Sequence, residues 1–86
     1  MKITNEKIKE VHEHLSSENF YTDGIYTDSE LPDCIICIDI NWGDWKHEHL
    51  RLDWLMREIG ATPFGEKVTE ENGSDCYSAT HYFAFN

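Results

Sequence analysis

Basic residues are scarce in this 86-residue sequence, and a long internal segment has none. Seven Lys and Arg residues stand against 17 Asp and Glu residues, which gives a formal net charge of −10 with histidine neutral. Between Lys9 and Lys46 the chain contains no Lys or Arg. Binding to nucleic acid or to an anionic membrane depends on clustered Lys and Arg, so this composition argues against both as direct partners.

The sequence also lacks long apolar runs and an even set of cysteines. No run approaches the roughly 18 apolar residues of a membrane span, and no charged segment followed by an apolar one stands at the N-terminus. The three cysteines form an odd set without the short, loop-rich pattern of a disulfide scaffold. We therefore expect a cytoplasmic protein with free thiols.

The chain is too short for more than one hydrophobic core. Domains usually contain about 100 to 150 residues, so the 86 residues are expected to form a single domain, 1–86. Three Trp, four Tyr and four Phe are a heavy aromatic content for this length. Because a small domain buries a smaller share of its surface, we expect some of these rings to be exposed and to favour self-association or a partner.

Two segments have the periodicity of amphipathic helices. The first is predicted from Thr4, as the N-cap, to about Ser17. The second is predicted from Asp44, as the N-cap, to Ile59, with Gly60 ending it in the left-handed conformation. The predicted core stripe of the second helix consists of Trp45, His49, Leu52, Leu55, Met56 and Ile59.

The strongest strand pattern is Cys34–Ile40, whose even-numbered residues are uniformly apolar. A central strand covered on one side fits this pattern best. Asp23-Gly24 predicts a type I′ hairpin turn, with a single bent or bulged strand as the alternative. We expect residues 28–33 to form a surface loop.

The C-terminal part predicts a loop followed by a hairpin. Thr62, Pro63 and Gly65 are typical of a loop, and Asn72-Gly73 predicts the turn of the hairpin. In the last strand most aromatic side chains are at odd-numbered positions, which indicates that this face of the strand faces the core. The residues of this face are Tyr77, Ala79, His81, Phe83 and Phe85.

This element order predicts an α+β fold. We expect two helices packed on one face of a small, mainly antiparallel sheet of three to five strands. Superposing Asp33-Cys34 on Asp75-Cys76 aligns the two strong strands, so a degenerate αββ duplication is one interpretation of the chain.

Cysteine and histidine spacing does not predict a metal site or a cofactor. Cys34 and Cys37, with Cys76 and His81, could be written as a zinc set, but residues three apart on a strand face opposite sides. His-Glu-His occurs at 12–14 and at 47–49, and residues two apart on a helix point about 200° from each other. His49 and Asp53, four residues apart, are expected to form an ordinary surface contact.

Asp39 and His81 are the polar interruptions in the two strong strands. If these strands were adjacent, the side chains could hydrogen-bond, and a histidine oriented by a carboxylate can act as a general base. A ligand site would then use Asp39, His81 and the strand–helix turn at Trp42 and Gly43. No nucleophile or oxyanion donor is recognisable beside them, so a structural role is favoured and no catalytic residue is assigned.

Two predicted surfaces have no structural explanation in the sequence. Glu6, Glu10 and Glu13 align on the outer face of the first helix. Leu50 and Trp54 lie about 200° from Leu52 on the helical wheel of the second helix, away from its core stripe. A Trp in that position needs a covering loop or another molecule.

We therefore predict a non-enzymatic protein-interaction module that acts as a regulator or inhibitor and binds a basic protein surface. One alternative is a small enzyme or ligand-binding domain that uses Asp39, Trp42 and His81. Another is a homo-oligomer in which Trp54 forms the contact between subunits.

Overall fold

The structure is a computed structural model that describes residues 2–42, 45–71 and 77–86, with the backbone alone at 42, 45–48, 69–71 and 77. Its elements in chain order are α1 (Asn5–Ser17), β1 (Gly24–Tyr26), β2 (Ile35–Trp42), α2 (Trp45–Glu58), β3 (Ala61–Glu71) and β4 (Tyr77–Phe85). The four strands form one antiparallel sheet in the order β1-β2-β4-β3. The α+β class is confirmed, whereas the packing of both helices on one face and the duplication stay predictions.

Helix α1 begins at the N-cap that the sequence predicts. The Thr4 hydroxyl accepts a hydrogen bond of 3.1 Å from the Lys7 backbone N–H, which satisfies one of the free donors of the first turn. Val11 and Leu15 are buried in the core. His14, on a flanking position, lies 3.0 Å from the Leu55 carbonyl oxygen and so links α1 to α2.

The predicted hairpin turn at Asp23-Gly24 is wrong. These residues instead mark the start of the short edge strand β1, where the Asp23 N–H donates to the Asp39 carbonyl oxygen at 2.8 Å. The connection from β1 to β2 comes later and runs through residues 27–34. A single short strand, the alternative for this segment, agrees with the structure.

Strand β2 lies inside the sheet, as predicted, and two residues longer at its C-terminal end than the pattern indicated. Ile36, Ile38 and Ile40 belong to the core cluster. On the other face Ile35 and Cys37 are each only 1% exposed, so the expectation of a strand covered on one side is wrong. Burial on both faces explains why the sequence of β2 is a nearly continuous apolar run and not an alternation of apolar and polar residues.

Strand β3 replaces the loop that was predicted for residues 61–65. It occupies the free edge of the sheet, where Pro63 is tolerated because its missing N–H removes no inner hydrogen bond. Its pairing with β4 is irregular at two places, between Pro63 and Gly65 and between Val68 and Glu70. These irregularities interrupt the alternation of apolar and polar residues by which a strand is recognised in a sequence.

The odd-numbered face of β4 is the core face, as predicted: Ala79, His81, Phe83 and Phe85 are all buried. The predictions for Gly43, Asp44, Asn72-Gly73 and Asp75-Cys76 concern positions outside the described residues. The predictions for the side chains of Trp42, Trp45 and Tyr77 lie outside them as well.

Helix α2 ends as the sequence predicts. Gly60 has φ 89°, a left-handed conformation that costs other residues more than glycine. Leu52, Leu55 and Met56 are buried, and Ile59 packs against the core cluster. Within the described part of the chain, neither helix has the length and apolar character to cross a membrane.

Two leucines of α2 provide a matched test of this packing. Leu52 is fully buried whereas Leu50 is 67% exposed. We expect Leu52→Ala to lower the free energy of unfolding by about 3 kcal/mol, because it removes core contacts and leaves a cavity. Leu50→Ala should change it by less than about 0.5 kcal/mol. Urea unfolding followed by circular dichroism measures both, and equal losses would contradict the assigned orientation of α2.

Candidate functional site

Asp39 and His81 lie on adjacent strands but not on the same face. In the β2–β4 register Ile38 is opposite His81 and Asp39 is opposite Thr80. Opposed residues in a sheet share a face and successive residues alternate, so His81 points to the core face and Asp39 to the other. The hydrogen-bonded pair considered from the sequence is therefore not assembled.

Asp39 instead joins two hydroxyl groups on its own face. Its Oδ1 accepts hydrogen bonds from Thr80 Oγ1 at 2.6 Å and from Tyr26 Oη at 2.9 Å. Burial raises the pKa of Tyr26, and the hydrogen bond to the Asp39 carboxylate raises it further. Asp39 thus connects β1, β2 and β4, which is a structural role.

The cysteines do not form a zinc set with His81 among the described residues. Cys37 lies on the face of β2 that carries Asp39, opposite to the face of His81. Burial raises the pKa of the Cys37 thiol to about 11, with smaller contributions from the carboxylates of Asp28 and Asp39. A thiol held neutral in this way is a poor nucleophile at neutral pH.

A different group of polar side chains meets on the core side of the sheet, and we call it the His–Glu cluster: His49, Glu66 and His81. One ligand atom from each lies within 4.8 Å of the other two. Glu66 Oε2 is 3.6 Å from His49 Nδ1 and 3.7 Å from His81 Nδ1. The two imidazole rings are 5.1 Å apart between centroids, with their planes tilted by 40°.

Three elements position the His–Glu cluster. Glu66 on β3 is directly opposite His81 on β4 in the sheet register. His49 comes from the first half of α2, which packs against β3. One turn later on the same helix, Asp53 Oδ2 lies 3.7 Å from His49 Nε2. The imidazole of His49 therefore stands between two carboxylates.

Burial sets the protonation state of His81. The residue is 1% exposed, and burial lowers the pKa of His81. The neighbouring His49 lowers this pKa too, while the carboxylates of Glu66 and Asp53 raise it. The lowered pKa favours the neutral imidazole, which is the form that accepts a proton or binds a metal. His49 Nδ1 and His81 Nε2 are buried and have no hydrogen-bond partner among the described residues.

The sequence contained part of the signal for this cluster. His81 stood out as a polar residue on an apolar strand face, and the His49–Asp53 contact was expected. Glu66 was missed because it begins the predicted hairpin and the sequence does not fix the register of that hairpin, so no partner across the sheet was assigned to His81. Only the β3–β4 register brings Glu66 and His81 together.

The carboxylates of α1 are exposed but largely balanced by neighbouring lysines. Glu10 lies 3.0 Å from Lys7 Nζ, and Glu13 lies 3.9 Å from Lys9 Nζ. The charge imbalance is greater in residues 18–42, which include six acidic residues and no Lys, Arg or His. Four of these acidic residues are exposed in and around β1 and its connection to β2: Asp23, Asp28, Glu30 and Asp33.

Two of those carboxylates line a groove of about 310 Å³. Its walls are Lys2, Ile3, Thr27, Asp28, Ser29, Pro32 and Asp33. Neither Asp39 nor His81 lines it, so it does not correspond to the ligand site considered from the sequence. Leu50 and Trp54 on α2 are each 67% exposed, in agreement with their position on the helical wheel.

Comparisons with protein-family models, with curated proteins and with solved structures find no match for this chain.

The state of Cys37 can be tested by alkylation. With a pKa of about 11, roughly one Cys37 thiol in a thousand is ionised at pH 8, and its side chain is 1% exposed. We expect iodoacetamide to modify Cys37 far more slowly than the partly exposed Cys34 in folded protein. Peptide mapping by mass spectrometry after timed labelling measures both rates. In urea the two rates should converge, and equal rates in the folded state would contradict the assignment.

Proposed function

We propose that this protein is a recognition module that binds a protein with a basic, partly apolar surface. The contact that we infer uses Leu50 and Trp54 of α2, the acidic residues of α1 and of the β1–β2 connection, or both sets. The protein would act as a regulator or inhibitor by occupying the basic surface of its target. No catalytic residue forms part of this proposal.

The observation that carries the proposal is the exposure of Leu50 and Trp54. Both side chains are two-thirds exposed and stand one helical turn apart, on a helix whose opposite side contributes Leu52, Leu55 and Met56 to the core. Aromatic residues, and Trp above all, are enriched among the residues that dominate binding energy at protein interfaces. A large apolar pair held on a rigid helix is therefore well suited to insert into a partner.

The charge distribution supports a basic partner. The net charge of −10 gives the protein a negative field that accelerates encounter with a basic surface. Asp28, Glu30 and Asp33 contribute more to this field than Glu10 and Glu13, since the latter two lie beside lysines. Glu6 is the exposed carboxylate of the α1 face for which no lysine contact is described.

Photo-crosslinking in the source cell tests the proposal. A benzoylphenylalanine at position 54 should capture one basic protein, whereas the same group at the exposed position 12 on α1 should not. With the purified partner, we expect Trp54→Ala to weaken binding about 30-fold or more, because it removes the anchor. Asp28→Lys with Glu30→Lys should mainly slow association, and added salt should do the same.

Glu10→Lys and Glu13→Lys provide the comparison for the charge changes, with a smaller expected effect. Sedimentation of the free protein distinguishes a second copy of the chain from a foreign partner. A dimer that Trp54→Ala converts to a monomer would assign this face to self-association and would contradict the proposal. Affinity that is independent of salt would contradict the basic character of the partner.

A further inference from the structure

We propose that the His–Glu cluster is a binding site for one divalent transition-metal ion of the Zn²⁺ type, coordinated by His49, Glu66 and His81. This inference does not depend on the recognition surface proposed above.

Two of the three separations between the ligand atoms are close to those of a metal centre. Zn²⁺ binds imidazole nitrogen and carboxylate oxygen at about 2.0 to 2.2 Å, so neighbouring ligands of a tetrahedral ion are about 3.3 to 3.6 Å apart. Glu66 Oε2 lies 3.6 Å and 3.7 Å from the ring nitrogens of His49 and His81. The three ligand atoms all lie within 4.8 Å of one another, so the longest separation must fall to about 3.4 Å for a tetrahedral ion. Rotation of the His49 and Glu66 side chains, which are 27% and 37% exposed, would supply this movement.

The donor types favour this class of ion. Two imidazoles and one carboxylate suit Zn²⁺ and the neighbouring first-row metals, whereas Mg²⁺ and Ca²⁺ require mainly oxygen donors. The carboxylates of Glu66 and Asp53 give the surroundings of the two imidazoles a negative charge that a divalent cation would balance.

Asp53 has the position of an outer-shell carboxylate. It lies beside His49 Nε2, while Nδ1 of the same ring faces Glu66. Histidines that bind metals commonly donate their second ring N–H to a carboxylate, which fixes the tautomer and orients the ring. With its Nε2 proton directed at Asp53, His49 would turn the lone pair of Nδ1 toward Glu66. A bound cation would give this buried nitrogen the partner that it lacks among the described residues.

The His–Glu cluster is accessible from solvent on one side. His81 forms the closed inner side of the site at 2% side-chain exposure, whereas Glu66 at 37% and His49 at 27% give an entry path from solvent. Three protein ligands leave further coordination positions for water or an exogenous ligand, as in catalytic rather than structural zinc sites.

The competing explanation is an ion-pair network in which a protonated His49 contacts Glu66 and Asp53.

Metal titration of chelator-treated protein distinguishes these explanations. We expect Zn²⁺ to bind with a stoichiometry of one by isothermal titration calorimetry and to raise the melting temperature, because a ligand that binds only the folded state stabilises it. Co²⁺ should give the visible absorption of a nitrogen- and oxygen-coordinated ion without a thiolate charge-transfer band. Mg²⁺ should not compete. The imidazole NMR signals of His49 and His81 should shift with Zn²⁺, and that of His12 should not.

Variants then assign the ligands. Asp53→Asn should weaken Zn²⁺ binding about 10- to 100-fold as an outer-shell change, and Glu66→Gln should weaken it more. Glu66→Gln is the main test, because Glu66 is partly exposed on an edge strand and its substitution should leave the fold intact. A substitution of the buried His81 could unfold the protein and would be harder to interpret. Glu58→Gln is the matched control: this carboxylate also faces a histidine, His14 at 3.4 Å, but it stands outside the cluster.

Three results would overturn the proposal. The first is the absence of saturable Zn²⁺ binding, as expected for an ion-pair network only. The second is binding that persists unchanged in both Glu66→Gln and His49→Gln. The third is a thiolate charge-transfer band with Co²⁺ that disappears in Cys34→Ser or Cys76→Ser protein, which would place the ion at the cysteines.

Discussion

The antiparallel pairing of β2 with β4 is the constraint on which the rest of the structure depends. Opposed residues of the two inner strands share a face, so placing Ile38 opposite His81 fixes the orientation of every other side chain on both. Ile36 and Phe83 then lie in the core. A slip of one residue would exchange the two faces and carry Asp39 into the core in place of an isoleucine, so burial of this apolar set holds the register.

The same register explains why His81 occupies the core face. Because side chains alternate between the two faces of a strand, His81 lies on the same face as Phe83 and Phe85. It is therefore buried, and its neutral form is favoured. β3 then places Glu66 opposite it at the free edge, and α2 supplies His49 from above. The His–Glu cluster thus exists where one inner strand, one edge strand and one helix meet, which is where a small domain can combine burial with access.

The two surfaces that we connect with function have different physical origins. Leu50 and Trp54 are exposed because a helix of one layer can bury only one stripe, and these residues stand outside it. The His–Glu cluster results from polar residues that the fold forces together inside. A recognition surface on the outside of α2 and a metal ion beneath its first turns are compatible, since they use different sides of the same helix.

Sequence alone determined the features that depend on local periodicity. These are the α+β class, the N-cap at Thr4, the helix end at Gly60, the core face of β4 and the exposure of Trp54. The hairpin at Asp23-Gly24 and the loop at residues 61–65 were wrong, because strand pairing overrides turn chemistry and an edge strand accepts proline and bulges. Only the tertiary structure decided which polar residues meet. The strand register separates Asp39 from His81 and places His81 beside Glu66. The sequence could not give this result, because strand register depends on contacts between residues distant in the chain.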